Sequence, residues 1–362
     1  MTERVYNFYA GPATLPLPVL EQAQEEFLNY KGTGMSILEI SHRSKDFEEV
    51  IFETEALMKE LLGIGDEFEV LFLQGGASTQ FFMVPMNFLT EENTADYILT
   101  GSWSEKALKE AEMMGKVHVA GSTKEDNYKY IPSMDQITLS ENPVYVHITS
   151  NNTIFGTQWQ QFPDFGDVPI VADMSSDMLS RPFDVSKFGL IYAGAQKNLG
   201  PSGVTVVLIR QDFLKKANDS LPTMLKYSTH VKKKSLYNTP PSFNIYIVNL
   251  VLKWIKSNGG LTAIERINKE KAGYIYEVID NSGGFYRGHA RKDSRSLMNV
   301  TFTMANADLE KTFVTEAAAK GLIGLKGHRS VGGLRASIYN AMPVEGCKAL
   351  AEFMKEFQRK NG

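Results

Sequence analysis

A single lysine, Lys197, lies between two apolar segments in the stretch AGAQKNLGPSG, from Ala193 to Gly203. Flanking glycines let the backbone or a ligand approach closely, and the lysine follows a strand-like run, where α/β proteins place their sites. Burial would lower the pKa of this amine and make it a nucleophile suited to Schiff-base chemistry. Most lysines in turns are solvated surface residues, so this interpretation depends on finding chemical partners for Lys197.

The first partner is Asp173, which ends the apolar run VPIVAD 24 residues before Lys197. An aspartate at a strand end is commonly a helix cap or a metal ligand. No His, Asp and Glu cluster with ligand spacing lies nearby, so we expect no metal. Together with a downstream lysine, the carboxylate fits pyridoxal phosphate, whose ring nitrogen it would keep protonated so that the ring accepts electrons.

The stretch LQGGASTQFF adds a turn and a helix start at Gly75 and Gly76. The backbone N–H groups of Ala77 and Ser78 would face an anion at that helix N-terminus. The lysine and spacing of a Walker motif are missing, so a nucleotide loop is not indicated. Trp103 and Thr153 each follow another predicted strand, where an aromatic ring could stack on a flat ligand and a hydroxyl could meet a ring oxygen.

Two His-Arg pairs could bind anionic substrates. They are His42 with Arg43 in ISHRS, and His328 with Arg329 in KGHRSVGGLRAS, which also contains Arg335. Guanidinium groups bind carboxylate or phosphate through a fork of N–H donors. Taken alone, such pairs are more often ordinary solvated polar residues.

The elements that must position these residues alternate between strand-like and helical segments, which predicts an α/β fold with a mostly parallel sheet flanked by helices. After residue 257 the pattern changes to a smaller α+β unit. We therefore predict a large domain over 16–257 and a small C-terminal domain over 258–362. The segment 1–15 could pack with either domain.

Composition narrows the functional classes. The 362 residues are 43% hydrophobic and 22% charged, with a formal net charge of −4, which gives no electrostatic footprint for nucleic acid or an anionic membrane. No apolar run reaches the ~20 residues of a membrane span. The only cysteine, Cys347, lies in a helical pattern near the C-terminus, which favours a packing role and a reducing, cytoplasmic compartment.

Seven stretches occur in this order along the chain: NFYAGPATLP, ISHRSKDF, QGGAS, SNNTIFGT, VADMSSD, AGAQKNLGPSG and YNTPPSFNIY. Together they resemble one known family, the phosphoserine aminotransferases, which are fold-type I, class-V enzymes dependent on pyridoxal phosphate. The resemblance runs from about residue 5 to the last helix.

The resemblance implies transfer of an amino group from L-glutamate to 3-phosphohydroxypyruvate by a ping-pong mechanism. Lys197 would be the Schiff-base lysine and proton shuttle, and Asp173 the partner of the ring nitrogen. Trp103 would stack on the cofactor ring and Thr153 would bind its hydroxyl. The implied phosphate ligands are Ala77, Ser78 and Gln196, joined by Asn238 and Thr239 from the other subunit of a homodimer.

For the substrates, the resemblance implies that Arg335 binds the α-carboxylate. His42 and Arg43 of the other subunit would join His328 and Arg329 around the phosphate of phosphoserine or the side-chain carboxylate of glutamate. Some family members carry an arginine where this chain has Ser78, which shifts the binding of anions toward the His-Arg pairs. Use of phosphorylated 4-hydroxythreonine, a substrate in vitamin B6 synthesis, stays open.

Three alternatives also stay open. The chain could be another fold-type I enzyme, such as an alanine–glyoxylate type aminotransferase or a cysteine desulfurase. The desulfurase requires a mobile catalytic cysteine, whereas Cys347 lies in a predicted helix. The third alternative, a non-catalytic protein that binds pyridoxal phosphate or phosphate, would not need both Asp173 and Lys197.

Overall fold

The computed structural model describes residues 4–362. In this part of the chain the α-helices are α1 (Leu17–Glu26), α2 (Lys45–Leu62), α3 (Gly76–Phe88), α4 (Ser102–Glu112), α5 (Gln211–Leu214), α6 (Tyr227–Lys232), α7 (Ser242–Ser257), α8 (Gly260–Asn281), α9 (Ala307–Ala319) and α10 (Val344–Asn361). The strands are β1 (Tyr6–Asn7), β2 (Phe68–Leu73), β3 (Thr94–Leu99), β4 (Lys116–Ser122), β5 (Val146–Thr149), β6 (Asn151–Asn152), β7 (Thr157–Gln158), β8 (Ile170–Asp173), β9 (Phe188–Gly194), β10 (Thr205–Arg210), β11 (Tyr286–Gly288), β12 (Asn299–Met304), β13 (Leu322–Ile323) and β14 (Leu334–Ser337).

A seven-stranded sheet in the order β2-β10-β9-β8-β5-β3-β4 forms the centre of the molecule. Only β10 runs antiparallel to its neighbours, and the other pairs are parallel. The central strands β5, β8 and β9 are buried along their whole length, as their continuous apolar sequences predict for a sheet covered on both faces. The prediction of a mostly parallel α/β sheet is confirmed.

Alternating residues of the strands pack against two separate helical layers. On β2, Phe68, Val70 and Phe72 belong to a core shared with α2 and α7, whereas Leu71 and Leu73 belong to a core shared with α3 and α4. Because successive side chains of a strand point to opposite faces, one short strand contributes to both layers. The sheet is therefore held from both sides, which fixes the positions of its strand ends.

A smaller α+β unit follows α7. The strands β11, β12 and β14 form an antiparallel sheet that packs with α8, α9 and α10. The N-terminal strand β1 pairs in parallel with β13, and Phe8 is buried in the same core. The domain bounds 16–257 and 258–362 remain predictions.

One element ends earlier than its sequence pattern indicates. The apolar spacing predicts a helix over residues 16–30, but α1 ends at Glu26. Asn29 instead accepts a hydrogen bond from the backbone N–H of Gly34 through Oδ1, at 2.7 Å, and closes a turn. Asparagine competes with helix formation through such local bonds. Among the described residues, no helix is both long and apolar enough to cross a membrane.

Candidate active site

The carboxyl ends of several parallel strands meet at one edge of the central sheet. There β8 ends at Asp173, β9 leads into the turn with Lys197, and β5 is followed closely by Thr153. β2 leads through Gly75 into α3 at the same edge. Such an edge is where open α/β sheets bind ligands. The fold thus gathers residues that are far apart in the sequence.

Lys197 contacts two of the other predicted site residues. Its Nζ donates to Thr153 Oγ1 at 2.9 Å and lies 5.7 Å from the centroid of the Trp103 ring. Part of the side chain is exposed at the mouth of the site, but protein surrounds the amine, and this burial lowers its pKa to about 8. The charge of Arg335 acts in the same direction, while Asp173 and Asp177 oppose it. A larger share of Lys197 is therefore neutral and nucleophilic near neutral pH than of an ordinary lysine.

Asp173 is almost completely buried at the end of β8. Its Oδ1 accepts a hydrogen bond from the backbone N–H of Ser175 at 2.9 Å. Burial raises the pKa of the Asp173 carboxyl. Hydrogen bonding from Ser175 and the charge of Lys197 oppose this shift but do not cancel it. A ring cation placed against this carboxylate would favour its ionised form, since an opposite charge close by lowers a carboxyl pKa.

The turn between β2 and α3 has the backbone of an anion site. Gly75 and Gly76 have φ values of 89° and 65°, and a Cβ at Gly75 would overlap Thr79 Oγ1. A Cβ placed on Gly76 would meet no atom within 4 Å, so the space beside this residue is open. The first N–H groups of a helix have no partner within the helix, so those of Ala77 and Ser78 are available to a ligand in this open space.

Arg335 lies on β14 of the smaller sheet and reaches across to the large one. Its Nη1 donates to Thr153 O at 3.3 Å. Arg335 Nε and Trp103 Nε1 are buried and have no hydrogen-bond partner within residues 4–362. Buried donors are almost always satisfied, so two orphaned N–H groups beside Lys197 point to a ligand that completes the site.

His328 joins Arg335 in lining a small cavity, and Arg329 beside it is exposed. His328 Nδ1 lies 2.6 Å from Ser330 Oγ. Burial lowers the pKa of His328, and the charges of Arg335, Arg329 and Lys106 lower it further. A bound anion would offset this accumulation of positive charge.

Apart from Gln196, the remaining predicted residues are not brought to Lys197 within a single chain. Arg43 Nε donates to His42 Nε2 at 3.4 Å, and in the described part of the chain these two side chains make no other side-chain hydrogen bond. Asn238 and Thr239 lie on an exposed loop, where Thr239 O accepts from the side chain of Gln74 at 3.3 Å. Gln196 directly precedes Lys197, and its backbone oxygen accepts from Ala13 N.

Sequence reasoning missed Lys106. Its Nζ lies 4.2 Å from the centroid of the Trp103 ring, a cation–π contact on α4. The spacing of three residues within a predicted helix is a signal that could have revealed the contact. No group of His, Cys, Asp and Glu in residues 4–362 is arranged to hold a metal ion.

Comparison with known proteins identifies the family. The sequence profile of the class-V aminotransferases matches residues 5–350. A phosphoserine aminotransferase of Herpetosiphon aurantiacus is 63% identical over 358 residues, covering 99% of both chains. The solved phosphoserine aminotransferase of Bacillus circulans subsp. alkalophilus is 59% identical over the full length of both chains, with a TM-score of 0.98.

A more distant solved structure, the phosphoserine aminotransferase of Trichomonas vaginalis with bound pyridoxal phosphate, is 42% identical. The alignment covers 97% of this chain and 100% of the Trichomonas vaginalis chain, with a TM-score of 0.92. The profile match and the identity over the whole length agree with the motifs in the sequence. This chain belongs to the phosphoserine aminotransferase family of the class-V aminotransferases.

Proposed function

We propose that this protein transfers the amino group of L-glutamate to 3-phosphohydroxypyruvate, giving O-phospho-L-serine and 2-oxoglutarate, with pyridoxal phosphate as cofactor. One observation carries the proposal. The Lys197 amine, whose pKa is lowered to about 8, is hydrogen-bonded to Thr153 Oγ1 at 2.9 Å at the sheet edge where Asp173 ends β8. In a chain 63% identical to a phosphoserine aminotransferase, these are the groups that an aminotransferase needs.

The residues present fit pyridoxal phosphate. The buried carboxylate of Asp173 suits a protonated ring nitrogen, and the orphaned Nε1 of Trp103 shows that the indole lacks its full set of contacts. The open space before the α3 N-terminus suits a phosphate. The residues that would hold the cofactor are Ala77, Ser78, Trp103, Thr153, Asp173, Gln196 and Lys197, with Asn238 and Thr239 of a second subunit.

When bound, pyridoxal phosphate supplies a carbonyl group for the amino group and a ring that delocalises the charge left on the substrate Cα. Lys197 Nζ accepts the proton from that Cα and returns a proton later, which requires the neutral amine that burial favours. Thr153 Oγ1 holds Lys197 Nζ in place. The buried Asp173 would supply the negative charge against a protonated ring nitrogen.

The substrate residues act by binding and orienting. Arg335, already anchored on Thr153 O, holds the α-carboxylate with its remaining donors. His328 and Arg329 take up the phosphate of phosphoserine or the side-chain carboxylate of glutamate. His42 and Arg43 of the second subunit complete that pocket. One pocket for both groups suits two half-reactions that share a site.

A homodimer is supported by exposed apolar side chains on the segment that leads from α1 to His42. Phe27, Leu28, Met35 and Leu38 expose between 40% and 81% of their surface. Exposed apolar residues concentrated in one segment are characteristic of interaction surfaces. A second subunit covering this segment would bring its own His42 and Arg43 close to the interface.

A cysteine desulfurase is disfavoured by the only thiol in the chain. Cys347 is completely buried in α10, and burial raises its pKa to about 12. A neutral thiol enclosed in a helix cannot act as a mobile nucleophile. The single free thiol also supports the proposed cytoplasmic location.

Absorbance spectroscopy of the protein loaded with pyridoxal phosphate tests the proposal. We expect the visible band of the bound cofactor to disappear on addition of phosphoserine and to persist with serine, which lacks the phosphate. Disappearance with alanine but not with phosphoserine would favour the alanine–glyoxylate type and overturn the proposed substrate. A band that responds to no amino acid, glutamate included, would indicate a binding protein without activity.

A further inference from the structure

A completely buried lysine, Lys271, lies on α8 in the smaller unit, apart from the site described above. Its Nζ donates to three consecutive backbone oxygens: Ile338 O at 2.9 Å, Tyr339 O at 2.7 Å and Asn340 O at 3.3 Å. No carboxylate within residues 4–362 forms an ion pair with it. An ammonium has three N–H donors, and burying it without a counter-ion is costly unless all three are satisfied. The segment 338–340 satisfies them.

The segment 338–340 follows β14 directly. β14 carries Arg335, the proposed ligand of the substrate α-carboxylate, which is anchored at its far end on Thr153 O. Lys271 is therefore hydrogen-bonded to the segment that directly follows β14, the strand that carries the Arg335 guanidinium. A shift of this segment would shift Arg335 with it.

The same segment is bound to the turn that carries Lys197. Asn340 donates its backbone N–H to Asn198 Oδ1 at 2.9 Å, and Asn198 Nδ2 donates to Met178 O at 3.0 Å. The Asn340 side chain donates to Leu179 O at 2.9 Å. Asn198 is the residue immediately after Lys197, and both asparagines are buried. The segment 338–340 thus connects the lysine turn of the large sheet to α8 of the smaller unit.

We propose that Asn198 and Lys271 are positioning residues that, through the segment 338–340, set the spacing between Lys197 and Arg335. This inference rests on the proposed function, because it concerns the distance between the amine that takes the α-proton and the guanidinium that holds the α-carboxylate. Neither positioning residue is among the proposed substrate ligands. Misplacing reacting groups by about 1 Å can cost roughly 10²-fold in rate, so a buried cross-link of this kind has a measurable kinetic consequence.

The first test uses Asn198→Ala, which removes the hydrogen bonds to Asn340 and Met178. Asn87→Ala is the matched control, because Asn87 is a buried amide on α3 that donates to Met83 O at 2.8 Å and Leu225 O at 2.7 Å, away from the Lys197 turn. Single-turnover kinetics of the phosphoserine half-reaction give the maximal rate and the half-saturating concentration. Cofactor content and thermal unfolding are measured on the same samples.

We expect Asn198→Ala to lower the maximal rate about 10- to 100-fold, with cofactor content and half-saturating concentration within about two-fold of wild type. Asn87→Ala should lower the unfolding temperature comparably and leave the maximal rate within about two-fold. A wild-type maximal rate for Asn198→Ala, or an equal rate loss in both variants, would overturn the proposal.

A second variant, Lys271→Met, tests whether the two residues act through the same segment. If they do, the double variant should be little slower than the slower single variant, whereas independent effects would multiply and contradict a shared route. Should Lys271→Met fail to fold, the comparison of Asn198→Ala with Asn87→Ala decides alone. If the wild-type protein does not react with phosphoserine, the proposed substrate is wrong. The maximal rates of the variants relative to wild type are then measured with glutamate, which also carries an α-carboxylate.

Discussion

The cofactor half of the site and its anion-binding half are built differently. Lys197, Thr153, Trp103 and Arg335 are linked within one chain by two hydrogen bonds and a cation–π contact. Arg329 and Arg43, by contrast, are exposed, and within residues 4–362 the Arg43 side chain forms a hydrogen bond only to its neighbour His42. The cluster around Lys197 is thus organised by the fold of a single chain, and by our proposal only Asn238 and Thr239 of the cofactor half come from a second subunit. By our proposal, the anion half is completed only when a second subunit contributes His42 and Arg43.

The largest expected effect concerns the cofactor half. Lys197→Ala should lower the steady-state rate of phosphoserine transamination by at least about 10³-fold, because it removes the amine that moves the α-proton. Lys187→Ala is the control, because Lys187 directly precedes the first residue of β9, at the end of the strand away from Lys197. This variant should keep the wild-type rate. A Lys197→Ala enzyme with normal turnover would contradict the assignment.

Next in size is the residue that joins the two halves. Arg335→Ala should lower kcat/KM on the order of 10²-fold, because the charged hydrogen bonds to the α-carboxylate are lost. Arg335→Lys keeps the charge without the fork and should recover part of the loss. Arg287→Ala, on the same small sheet but exposed, serves as the control. Equal values for Arg335→Ala and Arg287→Ala would remove Arg335 from the site.

The lowered pKa of Lys197 gives a pH dependence specific to the cofactor half. The neutral amine is the reactive form, so the rate at which the apoprotein combines with pyridoxal phosphate should rise as the pH increases through about 8 and then level off. An ordinary lysine, with a pKa of 10.5, would show a rate still rising toward pH 10. Stopped-flow absorbance across this range distinguishes the two curves.

The smallest effect is expected at the edge of the anion half. Lys106→Met removes a charge that lies 4.2 Å from the centroid of the Trp103 ring and that lowers the pKa of His328. KM for phosphoserine should therefore rise a few-fold, the size expected for an exposed cation–π contact. Lys109→Met, on the same helix, controls for the general loss of positive charge. The same change in KM for both variants would mean that Lys106 has no local role.

The same contrast explains what could be predicted from the sequence. Buried strands ending in polar residues, such as VPIVAD, indicate both the sheet and the edge where Asp173 lies, so the fold and the position of Asp173 and Lys197 at that edge were predictable. The early end of α1 was not, because the turn closed by Asn29 depends on a single side-chain bond to Gly34. The link from Lys271 through segment 338–340 to Asn198 was not predictable either, since residues far apart in sequence meet only after both sheets have packed.

The proposed completion of the anion half by a second subunit can be tested by mixing two defective chains. In a mixed dimer of one Lys197→Ala chain and one Arg43→Ala chain, one of the two sites would combine an intact Lys197 with the intact Arg43 of the other chain. Random pairing of equal amounts should restore about a quarter of the wild-type sites. Lys197→Ala mixed with Arg335→Ala is the control and should restore none, because Lys197 and Arg335 meet within one chain.

Phosphoserine turnover after co-refolding or co-expression is therefore the measurement that tests the account most directly. Activity near a quarter of wild type for the Lys197→Ala and Arg43→Ala pair, with none for the control pair, is the predicted result. Activity no greater than that of the separate variants would show that Arg43 does not act across subunits, and would contradict an anion site completed by a second chain.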